Sequence, residues 1–245
     1  MLTDEQIDRY SRQIILPQVG GKGQERLLQA KVLVVGTGEA QISALLYLAA
    51  AGVGTIGVVI EQASPLWHAF LAGGSDTERI WRTLTALNPD CTVKTYVPDR
   101  EAWAKHASPL LEAHDLVLSP PHPIHDACYA LGRPFICGAS LPSCTWLFTC
   151  QGYQSGLPCL RCLRSHPLFN NEELLAEGLN QLAAGFLGTL QATEVIKLIL
   201  RVGQPASDRA LVWDFPSLRF SQILVAKDPT CPLCATPRQR SLEVK

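Results

Sequence analysis

The run Lys31-Val32-Leu33-Val34-Val35-Gly36 is apolar and largely β-branched after its first residue, shows no polar alternation, and ends on a glycine. Such a stretch fits a strand buried on both faces, and both faces of a strand are covered when crossover helices flank a parallel sheet. A helix follows at once over 40–51, rich in Ala and Leu and closed by Gly52-Val53-Gly54. The alternation then recurs, with strands expected over 55–60, 92–97, 115–119 and 134–137 and helices over 75–87, 100–114 and 123–131. Strand, helix, strand in regular order means an α/β fold with a doubly wound, mostly parallel, Rossmann-like sheet. The second half changes character: 144–151 and 210–214 read as strands, 219–226 alternates as an edge strand does, and 182–202 reads as a long amphipathic helix. An N-terminal helix starts at the Thr3/Asp4 cap, turns Ile7, Tyr10 and Ile14 inward, and stops before Pro17. Residues 1–235 are expected to form one domain, and 236–245 a loose tail.

Composition narrows the partners. Of 245 residues 47% are apolar and 18% charged, and Lys+Arg at 21 against Asp+Glu at 22 leave a net charge of −1, so no global field draws the chain to nucleic acid or an anionic membrane. The longest apolar stretch, 42–53, is too short to span a bilayer. The polar, acidic start lacks the pattern of a secretory signal, so a cytoplasmic protein is expected. Nine cysteines, an odd number, argue against a disulfide framework and direct attention to metal binding or catalysis.

Two Cys-x-x-Cys pairs, Cys159/Cys162 and Cys231/Cys234, are the sharpest signal. Thiolates at this spacing reach one tetrahedral Zn²⁺ from a tight turn, and two such turns complete a closed, structural four-sulfur site that ties the C-terminal part to a mid-chain loop. A reduced redox dithiol is the competing reading. Cys91, Cys128, Cys137, Cys144 and Cys150 sit in apolar surroundings and read as small buried side chains. Gly36-Thr37-Gly38 lies where a strand turns into a helix, the place where nucleotide folds bring phosphate to the backbone. Glu39 at the mouth of that helix either occupies the anion site itself or is an ordinary acidic first-turn residue. His122 and His125, separated by Pro123 and Ile124, read as a loop and first-turn pair rather than metal ligands, and Arg79 and Arg82 as a solvated helix face.

The residues Arg9-Tyr10-Ser11-Arg12-Gln13-Ile14-Ile15-Leu16, then Gly23-Gln24-Glu25, the Val32–Gly38 strand and turn, Ala51-Gly52-Val53-Gly54, and Gly188-Thr189-Leu190-Gln191-Ala192 with Glu194, Ile196 and Lys197, resemble the MoeB/ThiF/HesA family, bacterial relatives of ubiquitin-activating enzymes. The resemblance runs from about residue 5 to 235, and both cysteine pairs fall where that family binds structural zinc. It implies a dimer of doubly wound subunits that binds a ubiquitin-like sulfur-carrier protein and adenylates its C-terminal glycine with ATP and Mg²⁺.

The chain departs from the family pattern at nearly every group that this reaction needs. The loop Gly-x-Gly-Gly-x-Gly reads Gly36-Thr37-Gly38-Glu39-Ala40-Gln41. The ribose-holding acid falls on Ile60, with Glu61 able to substitute after a one-residue slip. The phosphate-clamping Asn-Leu-x-Arg-Gln segment is absent, no Lys or Arg occurring between residues 63 and 74, and the family's lysine aligns with Asp76. The stretch that supplies the Mg²⁺ carboxylate reads Ser119-Pro120-Pro121-His122-Pro123, and no cysteine stands near 178–184. Arg12 matches the arginine that crosses the dimer into the neighbour's ATP site, a surface ion pair being its other reading. Loss of one cooperating group costs on the order of a hundredfold in rate, so these losses argue against ordinary catalysis and against an intact ATP/Mg²⁺ site. The first expectation is a pseudoenzyme or partner subunit, forming a homodimer or a heterodimer with an intact family member. Two alternatives stand beside it: an active adenylyltransferase that uses Gly36, Gly38, Glu61, Arg79 and Arg82 in rearranged positions, and a small-molecule or peptide binding module with Trp67, Phe70 and Trp81 as aromatic surface, although core packing is the expected place of those three rings.

Overall fold

The computed structural model describes residues 1–63, 74–98, 103, 107–140, 144–169 and 181–235. Along the chain come α1 (Asp4–Ile14), α2 (Gly20–Gln29), β1 (Lys31–Thr37), α3 (Glu39–Ala51), β2 (Thr55–Ala63), α4 (Asp76–Leu87), β3 (Thr92–Tyr96), α5 (Ser108–Glu112) and β4 (Leu116–Ser119). They are followed by α6 (His125–Leu131), β5 (Phe135–Ser140), β6 (Cys144–Cys150), α7 (Leu160–Ser165), α8 (Gln181–Leu200), β7 (Arg209–Asp214) and β8 (Arg219–Leu224).

All eight described strands lie in one sheet, in the order β3-β2-β1-β4-β5-β6-β7-β8. The first five are parallel, with Val34 of β1 beside Val58 of β2 and Leu118 of β4. From β5 onward the pairing is antiparallel, Cys137 lying opposite Phe148 and Trp146 opposite Val212. The chain therefore reverses its winding between β1 and β4, and this switch point opens at the C-terminal ends of the parallel strands, where α/β sheets take ligands.

The period of two along β1 divides its side chains between two cores. Val32 and Val34 join Leu45 and Leu48 of α3, Ile56, Val58, Leu187 and Val195 on one face. Leu33 and Val35 join Val59, Val117, Phe135 and Phe148 on the other, in the cluster that contains the four paired cysteines. Each fully buried Val or Leu contributes about 1.5–3 kcal/mol, so the β-branched run fixes the centre of the sheet. Against the first face lies α8, whose Gly188 touches α3 so closely that a Cβ there would sit 1.9 Å from the carbonyl oxygen of Ala40.

Several expectations are corrected. The helix α2 was not anticipated, because Gly20, Gly21 and Gly23 disguise its first turn, which begins at Val19 without a side-chain cap. Ile7 is 46% exposed rather than turned inward, whereas Tyr10 is buried, accepting a hydrogen bond from Asn88 Nδ2 at 2.8 Å and donating to Asp90 Oδ2 at 2.9 Å. The segment most apolar over a membrane-like length is α8, not 42–53. Apolar residues recur on several of its sides, so it is less amphipathic than expected, and its Glu194 is buried where Oε2 accepts from Thr149 Oγ1 at 2.7 Å and the Ala206 amide at 2.8 Å. Of the helix expected over 100–114, α5 is the part among the described residues. The 236–245 tail and residues 170–180 lie outside them.

Candidate functional site

The two Cys-x-x-Cys turns meet. Cys159 caps the start of α7, which puts Cys162 one turn along on the same side, and the second turn is closed by Cys231 N–H donating to the Asp228 carbonyl at 3.1 Å. Sulfur separations are 3.8 Å for Cys159–Cys162, 3.6 Å for Cys159–Cys231 and 3.3 Å for Cys162–Cys234, and all four sulfurs lie within 4.8 Å of one another. A tetrahedron with Zn–S bonds of about 2.3 Å has edges of about 3.8 Å, so the four thiols fit zinc and leave it no open position. All four are buried. Cys162 is held down to about 4, chiefly because it accepts from Cys159 and, against the cost of burial, from the Asp228 amide at 3.5 Å; Cys159 is pushed up as the donor. Four buried thiols converging from two separate turns distinguish this cluster from a solvent-facing two-cysteine redox site.

Four of the five remaining cysteines are buried as expected, whereas Cys144 is only half-buried. Cys91, Cys128, Cys137 and Cys150 are buried, and burial pushes the Cys91 and Cys128 thiols up to about 12.

The crevice at the β1/β4 switch point is nearly closed. Gly36, at a positive φ of 87°, turns the end of β1 toward Pro120, and the register with β2 slips between Val35 and Thr37. What is left is a cavity of about 40 Å³ lined by Glu39, Gln41, Pro120, Pro121, Ser140 and neighbouring aliphatic residues. Small-molecule sites run to roughly 300–1,000 Å³, so the space bounded by the described residues is small for one. Glu39 is the one charged residue among the described lining, and its sign opposes phosphate. Its carboxylate makes no hydrogen bond to the first-turn amides of α3 among the described residues, so it stands at the mouth of the helix as an ordinary acidic residue. Gln41 fills the place of a glycine and is buried.

Glu61, near the C-terminal end of β2, is already engaged. Its Oε1 accepts from Trp103 Nε1 at 3.0 Å and pairs with His122 Nε2 at 3.4 Å, while the Trp103 and His122 rings stack at 5.2 Å with 26° between their planes. The His122 hydrogen bond, aided by that from Trp103, holds the carboxyl below its ordinary value against the opposing effect of burial. Since His122 Nδ1 accepts from the Ile124 amide at 3.2 Å, Nε2 carries the proton that reaches Glu61. Neither Trp103 nor the inward turn of His122 was anticipated.

Where the family resemblance expects a magnesium carboxylate, Ser119 is buried and its hydroxyl has no hydrogen-bond partner among the described residues. Arg79 donates Nε to the Gly74 carbonyl at 2.7 Å and Arg82 is exposed, and neither is among the described lining of the crevice. Arg12 is exposed on the last turn of α1. Trp81 is 54% exposed rather than part of the core, and Trp67 and Phe70 lie outside the described residues.

The ThiF family model matches residues 10–61 and 71–233. The chain belongs to the ThiF family. Family relatives include the sulfur carrier protein adenylyltransferase of Thermus thermophilus, 34% identical over 98% of this chain and 95% of its own length. Another is the molybdopterin-synthase adenylyltransferase of Escherichia coli, 32% identical over 95% of this chain and 98% of that protein. Among solved structures of the fold, E. coli MccB with ATP superimposes at a TM-score of 0.74 with 19% identity, covering 93% of this chain and 74% of that one. The match to the family takes in the crevice and three of the four clasp cysteines, ending one residue before Cys234.

Proposed function

We propose that this protein is a ThiF-family pseudoenzyme: a zinc-clasped subunit that works through its surfaces, pairing with a second copy or an intact family member and engaging a ubiquitin-like sulfur carrier, without performing adenylyl transfer in its own crevice. The observation that carries this reading is the crevice of about 40 Å³ whose one charged lining residue is Glu39, while the candidate ribose acid Glu61 is bonded to Trp103 and His122. Adenylyl transfer is chiefly positioning and charge stabilisation, and among the described residues this pocket has little room and no cation in its lining. Exposed Arg12 supports the partner role, because a cation on an outward helix turn is available to complete a neighbour's phosphate site. Nine thiols without a disulfide suit the cytoplasm.

Titration calorimetry with ATP and Mg²⁺, followed by pyrophosphate exchange with carrier tails, tests the reading: no binding heat and no exchange are expected. Identity of 34% to an adenylyltransferase over almost the whole chain favours the active-enzyme reading, which micromolar binding together with exchange would establish. For the partner role, Arg12→Ala is expected to leave a complex with an intact relative assembled but lower that relative's activity; unchanged activity removes Arg12 from it.

A further inference from the structure

His122 and His125 stand three residues apart on the turn leading into α6, yet they face different sites. His122 closes the crevice over Glu61. His125, with a side chain only 4% exposed, reaches the opposite way and accepts the backbone N–H of Leu160 on Nε2 at 3.2 Å. Leu160 is the first residue of α7 and follows Cys159 directly, so its amide is one of those a helix start cannot satisfy internally, and it is buried.

The tautomer follows from the geometry. With Nε2 accepting, the ring proton sits on Nδ1, 3.3 Å from Asp126 Oδ1. Asp126 in turn takes both Nε and Nη2 of Arg161, the residue after Leu160. Two consecutive side chains of α6 therefore grip two consecutive residues of the Cys159–Cys162 turn, one through its backbone and one through its side chain. The His125 ring is held from behind by Phe135, edge-on at 5.5 Å.

We infer that His125, oriented by Asp126, is a positioning residue for the metal clasp, fixing the amide between Cys159 and Cys162 so that both sulfurs point at one ion. It contributes no ligand atom. Groups of this kind beyond the ligands typically change metal affinity by about 10–100-fold. This inference rests on the four cysteines holding zinc and is independent of whether the crevice binds nucleotide.

The test is the rate at which zinc-loaded full-length protein gives up its metal to excess 4-(2-pyridylazo)resorcinol. His125→Met fills similar space without an acceptor, and its release is expected to be about 10–100-fold faster than in the parent protein. His125→Gln keeps an acceptor within reach of the Leu160 amide and is expected to restore release to within about threefold of the parent. Val58→Ala loosens the core on the opposite face of the sheet, away from His125 and the cysteines, so it should lower the melting temperature while leaving release unchanged. Should His125→Met fail to fold, Asp126→Asn on the half-exposed side of the network is expected to raise release by about threefold or more. Release from His125→Met equal to the parent's, release from His125→Gln as fast as from His125→Met, or release that merely follows melting temperature across His125→Met and Val58→Ala overturns the inference. Protein that purifies without zinc and takes none up overturns the metal site itself, separately from the role of His125.

Discussion

The cysteine clasp and the crevice at the β1/β4 switch point share one turn, residues 122–125, and one sheet, but they differ in what holds their chemistry in place. The clasp needs four atoms from two short turns, and all four are present and converge within 4.8 Å. The crevice needs a carboxylate, cations and open backbone from several separate segments, and here those places hold Ser119, Pro120, Gln41 and Glu39 around a cavity of about 40 Å³. A closed metal site contributes to folding whatever else the protein does, since binding free energy becomes folding free energy. Phosphate-binding groups add nothing to stability, and a cluster of like charges opposes it, so they persist only while the chemistry is needed. The contrast teaches that family membership and family activity are carried by different residues.

The strongest way to break that contrast is to remove a clasp ligand. Cys159→Ser is expected to lower zinc content from about one per chain to near none and to cost on the order of 3–5 kcal/mol, read by elemental analysis and urea unfolding. Unchanged stability would mean that the sulfurs hold no structural ion. Next comes the packing beneath the crevice: Gly188→Ala puts a methyl group into the Ala40 carbonyl and is expected to cost about 3 kcal/mol as α3 and α8 are driven apart. If instead it is tolerated within a few tenths of a kcal/mol, α8 is free to shift and the crevice is not rigidly closed.

Much of this was legible in the sequence. The run at β1, buried on both faces, and the strand–helix alternation specify the parallel half of the sheet because periodicity is a local property. The clasp was legible because ligand spacing is covalent. What was hidden depends on distant partners or on weak local signals. Glycines at 20, 21 and 23 mask α2, which is held by packing rather than propensity, as where Leu200 Cδ2 lies 3.2 Å from a Cβ built on Gly23. Glu61 read as a substitute ribose acid, since nothing nearby in the chain announces Trp103, 42 residues away. His125 read as a first-turn histidine, and its bond to Leu160 spans 35 residues. The dismissal of a metal pair at His122 and His125 agrees with their opposite directions; the separate tasks of the two rings needed coordinates.

A smaller effect sharpens the comparison from the crevice side. Trp103→Ala removes the ring that stacks on His122, and for a half-buried indole about 2 kcal/mol of destabilisation is expected by urea unfolding. ATP with Mg²⁺ should still fail to bind, because opening the space does not restore cations. Binding of a fluorescent ATP analogue to Trp103→Ala would show a pocket merely covered rather than chemically stripped.

The smallest effect is a pH dependence. Glu61 is held below its ordinary value chiefly by the hydrogen bond from His122, so the folded state binds its proton less tightly than the unfolded chain does. Its stabilising contribution is therefore fully present above the unfolded carboxyl value of about 4.3 and is lost as pH falls through the lower, folded value. With the Glu61 side chain about a third exposed, solvent screening keeps this to about 1 kcal/mol or less. Glu61→Gln is accordingly expected to be slightly less stable than the parent at pH 7, and the gap should close in the acid range. Acid also protonates the clasp thiolates, but that loss is common to both proteins and cancels in the difference. A gap that persists unchanged below the ordinary carboxylate range would assign the stabilisation to the Glu61 side chain's packing and not to its charge, and the Trp103–His122 lid would then need no ionised acid beneath it.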